Sequence, residues 1–165
     1  MSLVKYCRCD DRLIHGQVIY KWVKYLDVKK IVVVDDETTN DVIAKGLIKM
    51  AAPKNIDLSI LTVSEARRCF YNNPADDNVF VLIKNLDTAN RMREEGIDIK
   101  KLIIGRIPTG IGKKKISKNV YINKKEFLLI DEFIKKNINV SIQMVPDEEE
   151  VELNQNINRY KGDFV

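Results

Sequence analysis

Short β-prone runs of apolar residues alternate with segments of helical periodicity through most of this chain, and this alternation limits its possible folds more than any other feature. In the helical segments apolar side chains recur three and four residues apart, which places them on one face of a helix. Strands that alternate with helices are typical of a mostly parallel sheet with helices on both faces. We therefore predict an α/β fold built on an open, mostly parallel sheet of about six to seven strands.

The individual elements follow from apolar runs, capping residues and helix breakers. The predicted strands are residues 2–9, 31–34, 58–63, 78–83, 102–104, 119–122 and 139–144. The predicted helices are residues 16–26, a segment capped by Asn40 or Asp41 that ends before Pro53, a segment capped by Ser64, residues 87–95 and residues 125–136. Residues 107–117 are expected to form a loop, and the tail from 147 to 165 to be helical at first and frayed later. No repeat or linker interrupts the chain, so residues 1–165 are expected to form a single domain.

The apolar faces of the helices identify candidate core residues. In the first helix Trp22 lies on the apolar side, so we expect it in the core rather than at a partner contact. The helix that ends before Pro53 carries Ile43, Leu47, Met50 and Ala51 on one side. With 45% apolar residues among 165, the chain has enough of them for one sizeable core.

The charge balance excludes several classes of protein. The formal net charge of +4 is spread along the chain, which suits acidic or phosphorylated partners but does not indicate a nucleic-acid-binding surface. No apolar run approaches the ~20 residues that span a bilayer, and the first residues lack the apolar core of a signal peptide. We therefore expect a soluble, cytoplasmic protein without a nucleic-acid partner.

The three cysteines, Cys7, Cys9 and Cys69, do not form a disulfide framework by number or spacing. Cys7 and Cys9 lie two apart in a predicted strand, so they share one face of the sheet. A C-x-C pair near one histidine offers too few ligands for zinc, which usually takes four. We expect small buried thiols here rather than a metal site.

Ligands bind outside the carboxyl ends of the strands in folds of this class. The candidate loops are residues 10–16, 35–39, 64, 84–86 and 105–112. The first of them combines Asp10, Asp11 and Arg12 with His15, the only histidine of the chain. This concentration of ionisable groups between the first strand and the first helix makes it the principal candidate site.

The first loop has the groups that phosphoryl transfer requires. A neutral imidazole is a nucleophile near neutral pH and can carry a covalent intermediate, which is the role considered for His15. Arg12 can hold two phosphoryl oxygens with its planar guanidinium. Gly16 and Gln17 begin the following helix, where close backbone approach and free N–H groups suit a phosphate.

Less specific interpretations of these residues also exist. Asp10 or Asp11 could orient the imidazole by accepting a hydrogen bond, or could only shape the turn. Taken singly, His15 could be a solvated side chain and Arg12 a surface ion-pair partner. Their concentration in one loop is what favours a functional site.

The run DDRLIHGQV at residues 10–18 resembles the signature of the IIB subunits of the mannose/fructose/sorbose class of the bacterial phosphoenolpyruvate-dependent sugar phosphotransferase system. The resemblance extends over nearly the whole chain. VVVDDETTND at residues 32–41 resembles the second strand and turn of that family, MAAP at 50–53 the end of its second helix, and QMVPD at 143–147 its close. The nonapeptide is the specific part of the resemblance, and the other segments support it.

The resemblance implies a phosphoryl relay in which a phosphohistidine of a IIA partner phosphorylates the IIB histidine. IIB then delivers the group to a sugar taken up through the IIC and IID membrane subunits. His15 matches the phosphorylated histidine, Arg12 the arginine three residues before it, and Asp10 and Asp11 the acidic pair. The implied activity is that of a protein-N(π)-phosphohistidine–sugar phosphotransferase without metal or organic cofactor. The implied location is the inner face of the membrane, held there through partners, and a homodimer is one implied assembly.

Two positions depart from the family pattern. Cys9 stands where an aliphatic residue is common, and Ile103-Ile104-Gly105-Arg106 stands where many relatives have a paired glycine. We expect Arg106 to lie near the phosphate site or the partner surface. Lys84 is a weaker phosphate-binding candidate that could equally be a solvated strand end. The pair Asp35-Asp36 favours a turn-forming role.

Three functions are compatible with the sequence. The first is the phosphoryl carrier, and the second is a regulatory phosphohistidine module of the same fold that transfers nothing to sugar. The third is an α/β domain that binds an anion without covalent chemistry. Phosphorylation of His15 would separate the third from the others, and a sugar phosphate product would separate the first from the second.

Overall fold

The computed structural model describes residues 2–72 and 78–165. Within these residues seven strands form one sheet in the order β3-β2-β4-β1-β5-β8-β9, and β6 pairs with β7 separately. The strands are β1 (Ser2–Asp10), β2 (Lys30–Val34), β3 (Asp57–Leu61), β4 (Val79–Ile83), β5 (Ile97–Arg106), β6 (Lys114–Ser117), β7 (Val120–Ile122), β8 (Asn139–Ile142) and β9 (Val151–Glu152). The helices are α1 (Gly16–Leu26), α2 (Asp36–Thr39), α3 (Val42–Ala51), α4 (Val63–Asn72), α5 (Leu86–Glu94), α6 (Lys124–Lys135), α7 (Leu153–Asn156) and α8 (Lys161–Phe164).

Helices cover both faces of the large sheet, which confirms the predicted α/β architecture. One apolar cluster joins α1 and α3 to one face and includes Trp22 and Ile48, so Trp22 is a core residue as predicted. The other cluster joins α4, α5 and α6 to the opposite face and includes Ala66, Ala89 and Ile130. Among the described pairings of this sheet, only β8 with β9 is antiparallel. Continuous apolar strands such as VFVLI in β4 are buried on both sides, as a parallel sheet requires.

Strand β1 lies inside the sheet, between β4 and β5. The chain leaves β1 through α1 toward β2 on one side, and it later crosses from β4 to β5 on the other side. Strand order therefore reverses at β1, and such a reversal opens a crevice at the carboxyl ends of the strands. The loop between β1 and α1 stands at this crevice.

The start of α4 differs from the predicted one. Strand β3 ends at Leu61 and α4 begins at Val63, before the predicted cap Ser64. Thr62 is the cap, because its Oγ1 accepts a hydrogen bond from Glu65 N (3.1 Å) while a carboxylate oxygen of Glu65 accepts one from Thr62 N (2.8 Å). This reciprocal pair is a capping box, and the T-x-x-E spacing was its signal in the sequence.

Two polar strands were missed or underestimated from the sequence. Strand β5 spans Ile97–Arg106 rather than residues 102–104, because its charged first half pairs with the beginning of β1. Residues 114–117, predicted as loop, form β6 and pair with β7. Neither segment has the apolar run that identifies a buried strand.

The C-terminal segment packs on the core instead of fraying. Strand β8 ends at Ile142 rather than at residue 144, and β9 pairs beside it. Phe164, at the end of α8, is buried and stacks on Phe127 of α6 with a centroid distance of 5.1 Å. The predicted frayed end is therefore wrong, since an aromatic pair fixes it to the core.

Helix α3 presents its most apolar side to solvent. Asp41 caps the helix, as one of the two predicted residues, by accepting a hydrogen bond from a backbone N–H of the first turn. Ile48 is the residue that packs against the sheet. Ile43, Leu47 and Met50 are 76%, 61% and 84% exposed. The apolar spacing therefore predicted which residues share one side of α3, but it did not predict that this side is exposed to solvent.

Candidate functional site

The loop that follows β1 is held by a tight turn and two buried anchors. Leu13 N donates to the main-chain oxygen of Asp10 at 2.9 Å, and Leu13 adopts a left-handed φ of 57°. Such a φ is unusual for a non-glycine residue. The side chains of Leu13 and Ile14 are buried in the apolar cluster beneath α1 and α3. Burial of these two side chains therefore fixes the backbone that leads into His15.

His15 occupies the N-cap position of α1 and presents its imidazole to solvent. Its main-chain oxygen accepts hydrogen bonds from Val18 N (3.0 Å) and Ile19 N (3.4 Å), while its side chain makes no capping bond. Within the described part of the chain, the N–H groups of Gly16 and Gln17 donate no hydrogen bond. An exposed imidazole thus lies at the positive end of an eleven-residue helix, where a negative charge is favourable.

Asp10 lies buried between two guanidinium groups. Its Oδ2 accepts from Arg8 Nη1 at 2.8 Å and from Arg12 Nη2 at 3.0 Å, and its Oδ1 accepts from Arg12 Nε at 3.0 Å. Arg12 N also donates to Oδ1, at 3.0 Å. Burial opposes ionisation of this carboxyl, but the Arg12 hydrogen bonds and the Arg8 charge outweigh it and lower its pKa. Arg12 is therefore fixed in orientation while about a quarter of its side chain stays exposed (25%).

Arg8 was not among the residues predicted for the site. Its side chain is fully buried, and its Nη2 donates to the main-chain oxygen of Met144 at 3.0 Å. Trp22 Nε1 donates to the same oxygen at 2.9 Å. The sulfur of Met144 lies 3.5 Å from Arg8 Nη2 and 3.6 Å from Arg12 Nη2. The segment after β8 thereby closes over the two arginines.

Strand β5 makes room for Arg8 with an irregularity at Gly105. Cys9 of β1 is in register with Ile104, but Asp10 is in register with Arg106, so Gly105 is an extra residue in β5. A Cβ atom on Gly105 would lie 2.1 Å from Arg8 Nη2. The bulge places a glycine under the guanidinium and directs the next side chain toward the loop.

Asp11 and Arg106 form the outer ion pair of the loop. Arg106 Nε lies 3.3 Å from Asp11 Oδ1, and the two side chains are 37% and 30% exposed. Arg106 therefore lies beside the candidate site, one of the two locations that we expected for it. In the described residues neither Asp10 nor Asp11 bonds to the imidazole of His15, so their contacts here are those of loop shaping.

Lys84 follows β4 and turns toward the end of β2. Its Nζ lies 3.6 Å from a carboxylate oxygen of Glu37 and 3.9 Å from one of Asp35. Asp35 caps α2 by accepting from Thr38 N (2.9 Å), which confirms its turn-forming role. The structure thus groups Lys84 with Asp35 and Glu37, whereas the other predicted residues lie together at the β1–α1 connection: Asp10, Asp11, Arg12, His15, Gly16 and Gln17.

The cysteines take no part in this arrangement. Cys7 and Cys9 are both completely buried in the same apolar cluster, as their spacing predicted. Burial raises the pKa of both thiols, so they stay protonated and unreactive. In the ranges that the structure describes, no group of three or more histidine, cysteine or acidic residues is arranged to hold a metal.

The sequence does carry a signal for Arg8. Side chains two apart on a strand share a face, so Arg8 and Asp10 of β1 form an ion pair, and Arg12 reaches the same carboxylate from the turn that follows the strand. Met144 and Gly105 had no comparable signal, because their contacts with Arg8 join parts of the chain about a hundred or more residues apart.

The fold and the loop together define an α/β protein with an exposed imidazole and a fixed guanidinium in the loop at the crevice of a mostly parallel sheet. Within the described residues, none of the helices combines the length and the apolar character that spanning a bilayer requires. The family model of the PTS system sorbose subfamily IIB component matches residues 4–163. The chain therefore belongs to this family of IIB components of the sugar phosphotransferase system, as its DDRLIHGQV segment predicted.

Individual relatives agree with this assignment. The sorbose-specific EIIB component of Klebsiella pneumoniae is 30% identical over 153 residues, 92% of this chain and 93% of the relative. That of Lacticaseibacillus casei is 34% identical over 145 residues, 87% and 88% of the two chains. The mannose-specific EIIAB component of Escherichia coli is 31% identical over 140 residues, which are 84% of this chain and 43% of the relative.

Solved structures share the fold over nearly their full length. The crystal structure of manxB from Thermoanaerobacter tengcongensis has a TM-score of 0.88 and 34% identity, with 96% of each chain covered. The IIBSor domain of the sorbose permease from Klebsiella pneumoniae has a TM-score of 0.86 and 29% identity, covering 96% of this chain and 98% of the domain. A IIB role in sugar phosphotransfer follows from family and fold together.

Proposed function

We propose that this protein is a phosphoryl carrier that accepts a phosphoryl group on His15 from a phosphohistidine of a IIA partner and transfers it to a sugar during uptake through IIC and IID membrane subunits. The observation that carries the proposal is the exposed His15 imidazole at the start of α1, with the partly exposed Arg12 guanidinium held by Asp10 in the same loop. The EIIAB name of the Escherichia coli relative supports a IIA partner. The protein would act in the cytoplasm, at the inner face of the membrane.

The transfer would be an in-line displacement between two imidazoles. A ring nitrogen of neutral His15 attacks phosphorus, the phosphorus–nitrogen bond of the donor breaks, and its electron pair returns to the donor ring. One proton leaves the His15 ring and one is taken up by the donor ring, so protons balance. Charge spreads over the equatorial oxygens in the transition state, where Arg12 and the N–H groups of Gly16 and Gln17 can stabilise it.

The decisive experiment is phosphorylation with phosphoenolpyruvate, the general phosphotransferase proteins and a IIA partner, read by mass spectrometry. We expect one acid-labile, base-stable phosphoryl group on the parent protein and none on His15→Gln. Full labelling of His15→Gln would refute the assignment. An unlabelled parent protein would instead favour an anion-binding domain without covalent chemistry.

Two further measurements test the roles within the site. Arg12→Ala should fold, because Asp10 keeps Arg8 as a partner, but transfer should slow by roughly 100- to 1000-fold as charge stabilisation is lost. An unchanged rate would remove Arg12 from the mechanism. Adding membranes with IIC and IID should yield a sugar phosphate for at least one sugar, whereas no product with any sugar would indicate a regulatory module.

A further inference from the structure

A fully buried arginine in the interior of a sheet requires an explanation. Arg8 lies in β1 between the buried thiols Cys7 and Cys9, with 0% of its side chain exposed. Burying a charge is costly unless it is paired and hydrogen-bonded. Burial indeed lowers the pKa of this guanidinium, against the opposing effect of Asp10. Among the described residues its Nε has no hydrogen-bond partner.

The surroundings of Arg8 hold its guanidinium in one place. Nη1 donates to Asp10 at 2.8 Å and Nη2 donates to the Met144 carbonyl at 3.0 Å. Gly105 leaves the space that the guanidinium fills, since a Cβ there would lie 2.1 Å from Nη2. Trp22 holds the same Met144 carbonyl from the α1 side. The group therefore has little freedom to move away from Asp10.

The charge count shows what Arg8 adds to the loop. Asp10 and Arg12 alone would form a neutral pair, and the Asp11–Arg106 pair is neutral as well. With Arg8 included, the Arg8–Asp10–Arg12 unit carries a net charge of about +1 inside a poorly solvated environment, where charge acts strongly. Only Arg12 of this unit reaches the surface, so the excess positive charge is exposed through Arg12, in the loop that also carries His15.

We propose that Arg8 is a positioning residue for the reaction of His15: it acts through Asp10 to fix the Arg12 guanidinium and to keep the loop positive toward the incoming phosphoryl group. This inference rests on the proposed carrier function. Arg8 itself touches neither the phosphoryl group nor the partner. Gly105 belongs to the same unit, because its missing side chain is what lets the guanidinium occupy its place.

A double-mutant cycle separates this role from a purely structural one. Arg8→Met, Arg12→Ala and the double variant are compared in single-turnover transfer from the IIA partner to His15. Arg8→Met should slow transfer on the order of 10- to 100-fold when Arg12 is present, as expected for a hydrogen bond to a charged group. In the Arg12→Ala background, Arg8→Met should slow transfer by no more than about 2-fold.

The steady-state constants and a matched control add independent readouts. Because Arg8 has no exposed surface, Arg8→Met should lower kcat and leave KM for the phosphorylated partner within about 2-fold. Arg8→Lys keeps the charge and should recover part of the rate. Arg93, on α5, is also mostly buried (16% exposed) and ion-paired with Glu132, so Arg93→Met controls for loss of a partly buried arginine. It should leave transfer unchanged.

Gly105→Ala keeps the inference testable if Arg8→Met fails to fold. Its added methyl group displaces the Arg8 guanidinium while retaining every charge, and transfer should slow about 10-fold or more with Arg12 present and not in Arg12→Ala. Equal slowing in both Arg12 backgrounds, or no slowing at all, would overturn the inference and leave the carrier function intact. An unlabelled parent protein would overturn the carrier function and the inference together.

Discussion

A pair of aspartates stands at the carboxyl end of each of two strands of this sheet, and the two pairs make different contacts. Asp10-Asp11 closes β1 and Asp35-Asp36 follows β2, both at the carboxyl edge of the sheet. Asp10 is 1% exposed and binds two guanidiniums. Asp35 is 5% exposed and accepts from Thr38 N and Thr38 Oγ1, at 2.9 and 2.6 Å. The buried carboxylate of Asp10 positions two guanidinium groups, whereas that of Asp35 caps a backbone turn.

The neighbours in sequence explain the difference. Arg8 lies two residues before Asp10 on the same face of β1, whereas Arg12 reaches the carboxylate from the turn that follows the strand. The residue two before Asp35 is the buried Val33, and the threonine three residues after Asp35 offers a hydroxyl and an N–H instead. In this chain the aspartate pair of the candidate site is therefore the one that has arginines two residues to either side. Substitutions in the two pairs test that distinction.

The largest effect is expected from Asp10→Asn. The amide cannot balance Arg8 and Arg12, and a buried charge left without its partner typically costs about 3–5 kcal/mol. We expect a loss of that size in the free energy of unfolding in urea, together with slower labelling of His15. A loss no larger than that of the matched Asp35→Asn variant would show that the arginines do not depend on this carboxylate.

The second largest effect is the loss of folding stability when the Asp10 carboxyl is protonated in acid. Hydrogen bonds from Arg12 and the charge of Arg8 lower its pKa in the folded protein despite burial. An aspartate in the unfolded chain has a pKa of about 3.9. The stabilisation by the ionised Asp10 carboxyl is therefore complete above that pH and is lost as the pH falls through the lower pKa of the folded protein. The stability difference between the parent protein and Asp10→Asn should therefore shrink below about pH 4. A difference that stays constant in urea titrations across that range would contradict the linkage.

A smaller effect is expected from Asp35→Ala. Loss of a helix cap costs about 1 kcal/mol, and α2 follows β2, which β4 separates from the β1 strand that leads into the His15 loop. Unfolding in urea should show that loss, while phosphoryl transfer to His15 should stay within about 2-fold of the parent rate. A large loss of transfer would show that the second pair, with Lys84 beside it, belongs to the site.

The smallest effect is expected from Arg91→Ala. Arg91 pairs with Asp36, and both side chains are exposed by more than a third (45% and 38%). Exposed pairs contribute about 0–1 kcal/mol, and Asp36 keeps its hydrogen bond from Val63 N at 2.9 Å. Thermal unfolding should barely change. A stability loss comparable with that of Asp35→Ala would mean that the Arg91–Asp36 ion pair stabilises the turn as much as the Asp35 cap does.

Local patterns in the sequence were sufficient for the layered fold and for the position of the loop. Helix α1 has the predicted bounds, Gly16–Leu26, and the chemically rich loop lies at the reversal of strand order. The sequence did not disclose what Arg8 contacts, because Met144 is 136 residues away and periodicity carries no information on such pairs. It also assigned the α4 cap to Ser64 although Thr62 and Glu65 had the reciprocal spacing.

The bulge at Gly105 makes this edge of the sheet sensitive to chain length rather than to composition. Side chains alternate along a strand, but the extra residue lets Ile104 and Ile107, three positions apart, reach the same apolar face. Deletion of Gly105 would restore regular pairing and keep Ile107 on that face, but it would bring the Cβ of Arg106 toward the space that the Arg8 guanidinium fills. A second inserted residue would instead turn Arg106 toward the apolar layer where Ile107 is now buried. Insertions at this position would therefore act on the loop and the core at once, whereas most substitutions of Arg106 act on the loop alone.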